Sequence, residues 1–107
     1  MSNTLDIQIN DQENGEISVA LMGKLDHSNF EKLEGVLNDF IQEKKIFTFN
    51  LDFEDLEYIS SVGVGVLISA ITQAQASNGK ILMINVNSRI GEVFRLLGLP
   101  DEFYETI

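Results

Sequence analysis

The segment "EYISSVGVGVLISA", residues 57–70, joins a strand-like run to a helix-like run through small residues. Glycine costs roughly 1 kcal/mol relative to alanine in a helix interior, so Gly63 and Gly65 at the start of a helix require a reason. Small residues there allow another backbone or a phosphate to approach, and a helix N-terminus favours negative charge. Serine is also a good helix cap. The segment therefore predicts a strand-to-helix junction with an approachable surface near Ser60 and Ser61.

The composition is typical of one small domain, and we expect residues 1–107 to form it. The apolar fraction is 44%, and no run approaches the roughly 18 to 20 apolar residues of a membrane span. The N-terminus "MSNTLDIQIN" lacks the basic and apolar regions of a signal peptide. Cysteine is absent, which excludes disulfides and thiolate metal sites. These features predict a cytoplasmic protein that does not associate with membranes.

The chain is strongly acidic, with 17 acidic and 7 basic residues and a formal net charge of −10. This balance argues against nucleic acid and against anionic membrane surfaces as partners, because both carry phosphate charge. Two interpretations of the acidity stay open. It serves solubility alone, or it steers the protein towards a partner with a basic patch.

Two alternating runs precede the first helix. "LDIQI", residues 5–9, and "ISVALMG", residues 17–23, both place apolar side chains at every second position. An Asn-Gly pair at Asn14-Gly15 lies between them, which is a strong signal for a tight turn. We therefore predict a hairpin of two antiparallel strands.

Helix-like and strand-like runs then alternate along the chain. In "SNFEKLEGVLNDFIQEKK", residues 28–45, Ser28 and Glu31 form a capping-box signature ahead of apolar residues at helical spacing. "IFTFNLDF", residues 46–53, predicts a central strand. A second helix follows the opening segment, and Asn78-Gly79 is its predicted stop.

The C-terminal part repeats this alternation. "KILMINV", residues 80–86, predicts a strand, and "SRIGEVFRLLGLP", residues 88–100, predicts a helix capped by Ser88. Gly98 and Pro100 end that helix, and "EFYETI" adds a short edge strand.

This order predicts an α/β fold with a mixed β-sheet of four to five strands and flanking α-helices. Strands that are joined through helices lie parallel, because such crossovers are right-handed. The hairpin supplies the antiparallel part of the sheet. We expect the core to contain the following apolar residues: Leu33, Leu37, Ile46, Phe49, Leu51, Leu67, Ile71, Leu82, Ile84, Phe94 and Leu97.

Three segments carry a family resemblance. "DFEDLEYISSVGVGVLISA", residues 52–70, resembles the signature of STAS domains, specifically of the anti-sigma factor antagonists. "GKLD", residues 23–26, is similar to the family's G-x-[LI]-D, whose aspartate lies near the phosphorylation site. "SRIGEVFRLLGLPDEF", residues 88–103, resembles the family's later helix and the turn after it. These segments occur in the family's order over nearly the whole chain, which implies a STAS-like sheet.

The resemblance also implies a function without a cofactor. The family's antagonists bind an anti-sigma factor that is a serine kinase, and this binding releases the sigma factor. The kinase phosphorylates a serine that corresponds to Ser61, the antagonist dissociates, and a PP2C-type phosphatase restores it. By the same resemblance, the partner-binding residues are Asp26, Ser60, Ser61, Val62, Gly63, Val64 and Gly65.

Two positions depart from the family pattern. Ser60 stands where the family usually has aspartate, and Val62 stands where a small residue is common. Both departures favour an alternative function as a non-phosphorylated STAS subunit of a signalling or lipid-transport assembly. The sequence leaves the oligomeric state open.

No pattern of an enzyme or a metal site is present in the sequence. The acidic run "DFEDLE", residues 52–57, lacks the spacing and the glycine of a calcium loop. His27 is the one histidine, and the chain has no G-x-S-x-G elbow, no Walker A sequence and no dinucleotide fingerprint. We therefore predict neither catalysis nor a metal, and any nucleotide that reaches Ser61 is brought by another protein.

Overall fold

The computed structural model describes residues 4–11 and 17–107, which form one sheet and three α-helices. The strands are β1 Leu5–Asp11, β2 Ile17–Leu25, β3 Thr48–Ile59, β4 Lys80–Val86 and β5 Tyr104–Thr106, and the helices are α1 Phe30–Asn38, α2 Ser61–Ala76 and α3 Ser88–Leu96. A π-helical turn, Asp39–Glu43, extends α1, and a 3₁₀ turn, Asp101–Phe103, precedes β5. No helix in the described part of the chain is long and apolar enough to cross a membrane.

The spatial order of the strands is β1-β2-β3-β4-β5. β1 and β2 pair antiparallel, and every later neighbour pairs parallel, which confirms the predicted mixed sheet. The predicted turn at Asn14-Gly15 lies outside the described residues. β3 is longer than the predicted 46–53, because its pairing with β2 continues to the Leu25–Ile59 pair.

All three helices cover the same face of the sheet. Each crossover from β2 onward moves one strand further in the same direction, and right-handed crossovers of that kind place their helices on one side. Phe49 and Phe53 point to this side from β3. The ring centroid of Phe49 lies 5.5 Å from that of Phe40, just after α1, and the ring centroid of Phe53 lies 5.7 Å from that of Phe94 in α3. We call this side the helix face.

No element within residues 4–11 and 17–107 covers the opposite side of the sheet, and we call it the open face. Its side chains alternate with the buried ones along each strand and are partly or fully exposed. On the three central strands these residues are Ser18, Ala20, Met22, Lys24, Asn50, Asp52, Glu54, Asp55, Lys80, Leu82 and Ile84.

The ends of α2 and α3 lie where the sequence predicts them. Asn78 follows α2 with φ 62°, and Gly98 follows α3 with φ 83°. In each case the next amide bonds back to the final turn of the helix: Gly79 N to Ala74 O at 2.7 Å, and Leu99 N to Phe94 O at 2.9 Å. This left-handed cap satisfies carbonyls that the helix leaves unpaired.

Two predicted helix caps are wrong. The N-cap of α1 is Asn29, which makes no side-chain cap hydrogen bond, so Ser28 lies one residue before the cap, and its hydroxyl donates to Asp26 Oδ1 at 2.6 Å. Ser88 is the first residue of α3, and the cap is Asn87, whose Oδ1 accepts a first-turn amide at 2.9 Å. Each helix therefore begins one residue away from the predicted position, and at α3 the asparagine side chain makes the capping hydrogen bond.

Most of the predicted core is buried, and Ile46 packs against it partly buried. The prediction is wrong for Leu82, Ile84 and Leu97. Leu82 and Ile84 belong to the open face, because Ile81 and Met83 are the β4 residues that point to the helices. Leu97 is the residue that caps α3 and is 44% exposed. The buried members of the predicted set are Leu33, Leu37, Phe49, Leu51, Leu67, Ile71 and Phe94.

Adjacent substitutions in β4 test whether the sheet is covered on one side. We expect Met83→Ala to lower the free energy of unfolding by about 2 to 5 kcal/mol, because Met83 is fully buried among core side chains. Leu82→Ala, one residue away on the open face, is expected to cost about 1 kcal/mol, because its side chain is only partly buried. Urea unfolding measures both, and equal losses would contradict the one-sided arrangement.

Candidate functional site

The junction between β3 and α2 is built on Ser60. Its backbone is extended, at φ −95° and ψ 172°, and its amide donates to Leu25 O at 2.9 Å. Its Oγ accepts the amide of Gly63 at 3.4 Å, and its carbonyl accepts the amide of Val64 at 3.1 Å. Ser60 is therefore the N-cap of α2, and Ser61 is the first residue of the helix.

Gly63 lets α2 approach the ends of two strands. A Cβ atom at Gly63 would lie 2.8 Å from Leu25 Cγ and 2.9 Å from Ile59 Cγ1, closer than real side chains pack. Leu25 and Ile59 are themselves a cross-strand pair at the ends of β2 and β3. Gly63 and Val64, two of the predicted partner-binding residues, are both buried in this chain. Gly63 packs against the two strand ends, and Val64 belongs to the hydrophobic core.

The other small residues of the junction face solvent. Ser61, Val62 and Gly65 are exposed, and a Cβ atom at Gly65 would meet no heavy atom within 4 Å. Val62 is 40% exposed, and Ile68, further along the same helix, is also 40% exposed. Residues 60–79 contain no charged side chain. We call Ser61, Val62, Gly65 and Ile68 the α2 patch.

Asp26 lies in the loop after β2 and is only 8% exposed. Its Oδ1 accepts the amide of Ser28 at 2.9 Å and the hydroxyl of Ser28 at 2.6 Å. Asn29 Oδ1 accepts the Asp26 amide at 3.0 Å, and Asn29 Nδ2 donates to Lys24 O at 2.8 Å. Asp26 therefore orders the loop that follows Leu25. The Asp-x-Ser spacing, which is typical of such turns, is the sequence signal for this role.

Hydrogen bonds set the ionisation of Asp26. The hydroxyl and then the amide of Ser28 stabilise the carboxylate and lower the pKa of Asp26 below its ordinary value of 3.8, while desolvation acts in the opposite direction. With Oδ1 committed to Ser28, Asp26 is a structural carboxylate beside the junction.

A groove of about 910 Å³ lies at the carboxyl ends of β2 and β3, and a second of about 440 Å³ adjoins it. Both are lined by Glu57 and Arg89. Carboxylates outnumber cations in the larger groove, which therefore does not suit a phosphate group, and in the smaller groove two carboxylates and two cations balance. Within residues 4–11 and 17–107, no cluster of histidine and carboxylate side chains is arranged to hold a metal ion. The further charged lining residues are Asp6, Lys24, Asp26, Glu54 and Asp55.

Two glycine substitutions separate packing from exposure. We expect Gly63→Ala to destabilise the fold by about 1 to 3 kcal/mol, because its methyl group overlaps Leu25 and Ile59. Gly65→Ala should stabilise it by about 0.5 to 1 kcal/mol, because alanine is the better helix former and the space is open. Urea unfolding of both variants tests this, and losses of similar size would show that Gly65 is also a packing residue.

The Asp26 carboxylate gives a pH-dependent prediction. A lowered folded pKa stabilises the native state above the unfolded pKa of about 3.9, and this contribution is lost as the pH falls through the folded value. We therefore expect Asp26→Asn to be destabilising at pH 7 and progressively less so below about pH 4. Urea unfolding across this range tests the sign. A carboxyl-carbon NMR titration with a midpoint above 3.8 would contradict the assignment.

Comparison with known proteins places this geometry in a family. The description of the matching family model is STAS domain, and the match covers residues 8–107. The chain is 22% identical over 97 residues to the anti-sigma-B factor antagonist of Listeria monocytogenes. This alignment covers 91% of this chain and 84% of that protein.

Solved structures show the same fold. The anti-sigma factor antagonist SpoIIAA in its unphosphorylated form has a TM-score of 0.83 at 22% identity and covers 95% of this chain and 88% of that one. The phosphorylated form of the Bacillus cell fate determinant SpoIIAA has a TM-score of 0.77 at 22% identity and covers 95% and 91%. Since the family match spans nearly the whole chain, the protein belongs to the STAS domain family.

Proposed function

We propose that this protein is an anti-sigma factor antagonist that binds an anti-sigma factor through the α2 patch and is switched off by phosphorylation of Ser61. The observation that carries the proposal is the position of Ser61. It is exposed at the first residue of α2, within an uncharged segment, 60–79, of a chain whose net charge is −10. The names of the similar proteins support the same function.

The α2 patch is suited to a docking partner. Val62 and Ile68 offer partly exposed apolar side chains, and Gly65 leaves room for a close approach by another backbone. Because the patch carries no charge, its burial requires no charged group to lose its water, a loss that costs several kcal/mol per ion.

A phosphate on Ser61 reverses this property while the fold is retained. It adds about −1.5 to −2 charges at the edge of a neutral surface. Locally it is accommodated, because the first-turn amides of Ser61 and Val62 have no carbonyl of the same helix to bond, and the helix dipole contributes roughly 0.3 to 1 kcal/mol. Burial of that charge against a partner without paired cations costs several kcal/mol. A loss of about 2.7 kcal/mol already weakens binding a hundredfold.

The transfer step places most of the chemistry on the partner. Ser61 Oγ attacks the γ-phosphorus of ATP, the bond from that phosphorus to the β–γ bridging oxygen breaks, and ADP leaves. The hydroxyl proton passes to a base. Asp26 is a weak base for this step, because the hydrogen bonds from Ser28 stabilise its carboxylate and lower the pKa of Asp26. The anti-sigma factor, acting as a serine kinase, therefore supplies both ATP and base, and a PP2C-type phosphatase hydrolyses the phosphoserine.

Ser60 is the less reactive serine of the pair. Its amide, carbonyl and hydroxyl oxygen all take part in the hydrogen bonds that cap α2, and it is half-buried. Transfer to Ser60 would place a phosphate on the half-buried oxygen that accepts the Gly63 amide, whereas the exposed Ser61 makes no capping hydrogen bond.

Substitution of the two serines tests the switch. With a purified anti-sigma factor kinase and ATP, we expect Ser61→Ala to bind as wild type does and to accept no phosphate. Ser61→Asp should bind roughly tenfold or more weakly, since it adds one charge where a phosphate adds nearly two. Phosphopeptide mapping and calorimetric titration measure both effects.

Ser60→Ala is the matched control. Loss of its cap should lower the free energy of unfolding by about 0.5 to 2 kcal/mol, while phosphorylation continues at Ser61. Phosphate found only on Ser60 would refute the assignment. If the kinase binds the protein but phosphorylates neither serine, the result supports the alternative function as a non-phosphorylated STAS subunit of an assembly. In that function Val62, at 40% exposure, supplies an apolar contact that no phosphate interrupts.

A further inference from the structure

The open face of the sheet is a second surface, remote from the α2 patch. The helices lie on the other side, so apolar side chains of β2 and β4 are covered by nothing in the described part of the chain. Met22, Leu82 and Ile84 are each partly exposed there. Ile84 lies in register with Asp52, and Asp52 with Ala20, so the apolar residues are carried by the strands on either side of β3.

This face is also acidic. Asp6 pairs with Met22 across β1 and β2, and Asp52 and Glu54 follow on β3. Asp52 is held in place, because its Oδ1 accepts Asn85 Nδ2 at 3.0 Å and the Glu54 amide at 3.0 Å. Two cations of the described strands share this face: Lys80 lies at the opposite end of the strands, and Lys24 lies near the end of β2. The acidic end coincides with the 910 Å³ groove, where the carboxylates of Asp6, Glu54, Asp55 and Glu57 outnumber the guanidinium of Arg89.

The charge restricts what can cover this face. A second copy would bring acidic groups against acidic groups, and lipid headgroups or nucleic acid would bring phosphates. An occupant that fits must be apolar towards Met22, Leu82 and Ile84 and cationic towards Asp6, Asp52 and Glu54. A helix with one apolar stripe and flanking Lys or Arg residues has this composition.

We propose that the open face docks an amphipathic, basic helix of a partner protein. The helix would complete the sheet as a layer, in the way that α1, α2 and α3 complete the other side. A helix of about 18 residues is roughly 27 Å long, which exceeds the roughly 19 Å between the first and last of five paired strands. Because α2 lies on the opposite face, this docking and the binding of an anti-sigma factor can occur together.

A synthetic peptide of about 18 residues tests the proposal. It carries leucine along one stripe and Lys and Arg on both flanks, and a scrambled peptide of the same composition is its control. We expect micromolar binding by calorimetry for the first peptide and at least tenfold weaker binding for the scrambled one. Amide NMR shifts should map to β2, β3 and β4 on the open face.

Protein variants make the test specific. Ile84→Lys and, separately, the pair Asp6→Lys with Glu54→Lys should each weaken peptide binding about tenfold, through lost apolar contact and reversed charge. Ile68→Lys, in the α2 patch, is the matched control. It should leave peptide binding unchanged and weaken binding of the anti-sigma factor. Ile84→Lys should weaken peptide binding and leave binding of the anti-sigma factor unchanged. Urea unfolding confirms that each variant is folded.

Three outcomes would overturn the proposal. They are equal binding of the scrambled peptide, NMR shifts centred on the α2 patch, and a dimer in sedimentation that the peptide dissociates, which would make a second copy the occupant. None of these bears on Ser61, so failure here leaves the proposed switch standing.

Discussion

At the start of α2 the backbone of Gly63 lies against the side chains of Leu25 and Ile59, at distances that leave no room for a Cβ atom. Leu25 also accepts the amide of Ser60, so both a packing contact and a hydrogen bond tie the helix to the last residue of β2. The position of Ser61 follows from these two contacts. It is therefore set by main chain and by core packing, and its own side chain is free for chemistry.

This arrangement separates the parts of the switch. The residues that hold the junction are buried, and the residues that present it are small, neutral and exposed. A phosphate on Ser61 thus changes the charge of the surface without entering the core. Gly63 and Gly65 look equivalent along the chain, but Gly63 permits the fold and Gly65 leaves open space beside the serine.

Local patterns predicted most of the fold. The helix ends at Asn78 and Gly98 were predictable because left-handed caps need residues of that type close to the final turn. The direction in which each β4 side chain points was not predictable, because residues 81–84, "ILMI", are all apolar and carry no alternation. Only its register with β3 shows that Met83 points to the helices and Leu82 does not.

The position of the site was predictable from the sequence, but the separate roles of its residues were not. The serine pair and both glycines stand out in the sequence, and Ser61 is exposed as expected. The buried role of Gly63 depends on Leu25, far away in the chain, and the role of Asp26 depends on how the loop folds so that both Ser28 donors reach its Oδ1. Contacts of these kinds form only when distant segments or alternative turns are resolved in three dimensions.

The most direct test is a calorimetric titration of an anti-sigma factor kinase with protein that carries phosphoserine incorporated at position 61, compared with unmodified protein. Phosphoserine incorporated at position 77, at the far end of α2 and outside the α2 patch, is the positional control. We expect phosphoserine at 61 to weaken binding about a hundredfold or more, with amide NMR shifts confined to the first turn of α2. Unchanged affinity, or shifts spread through the core, would contradict a switch that acts by surface charge.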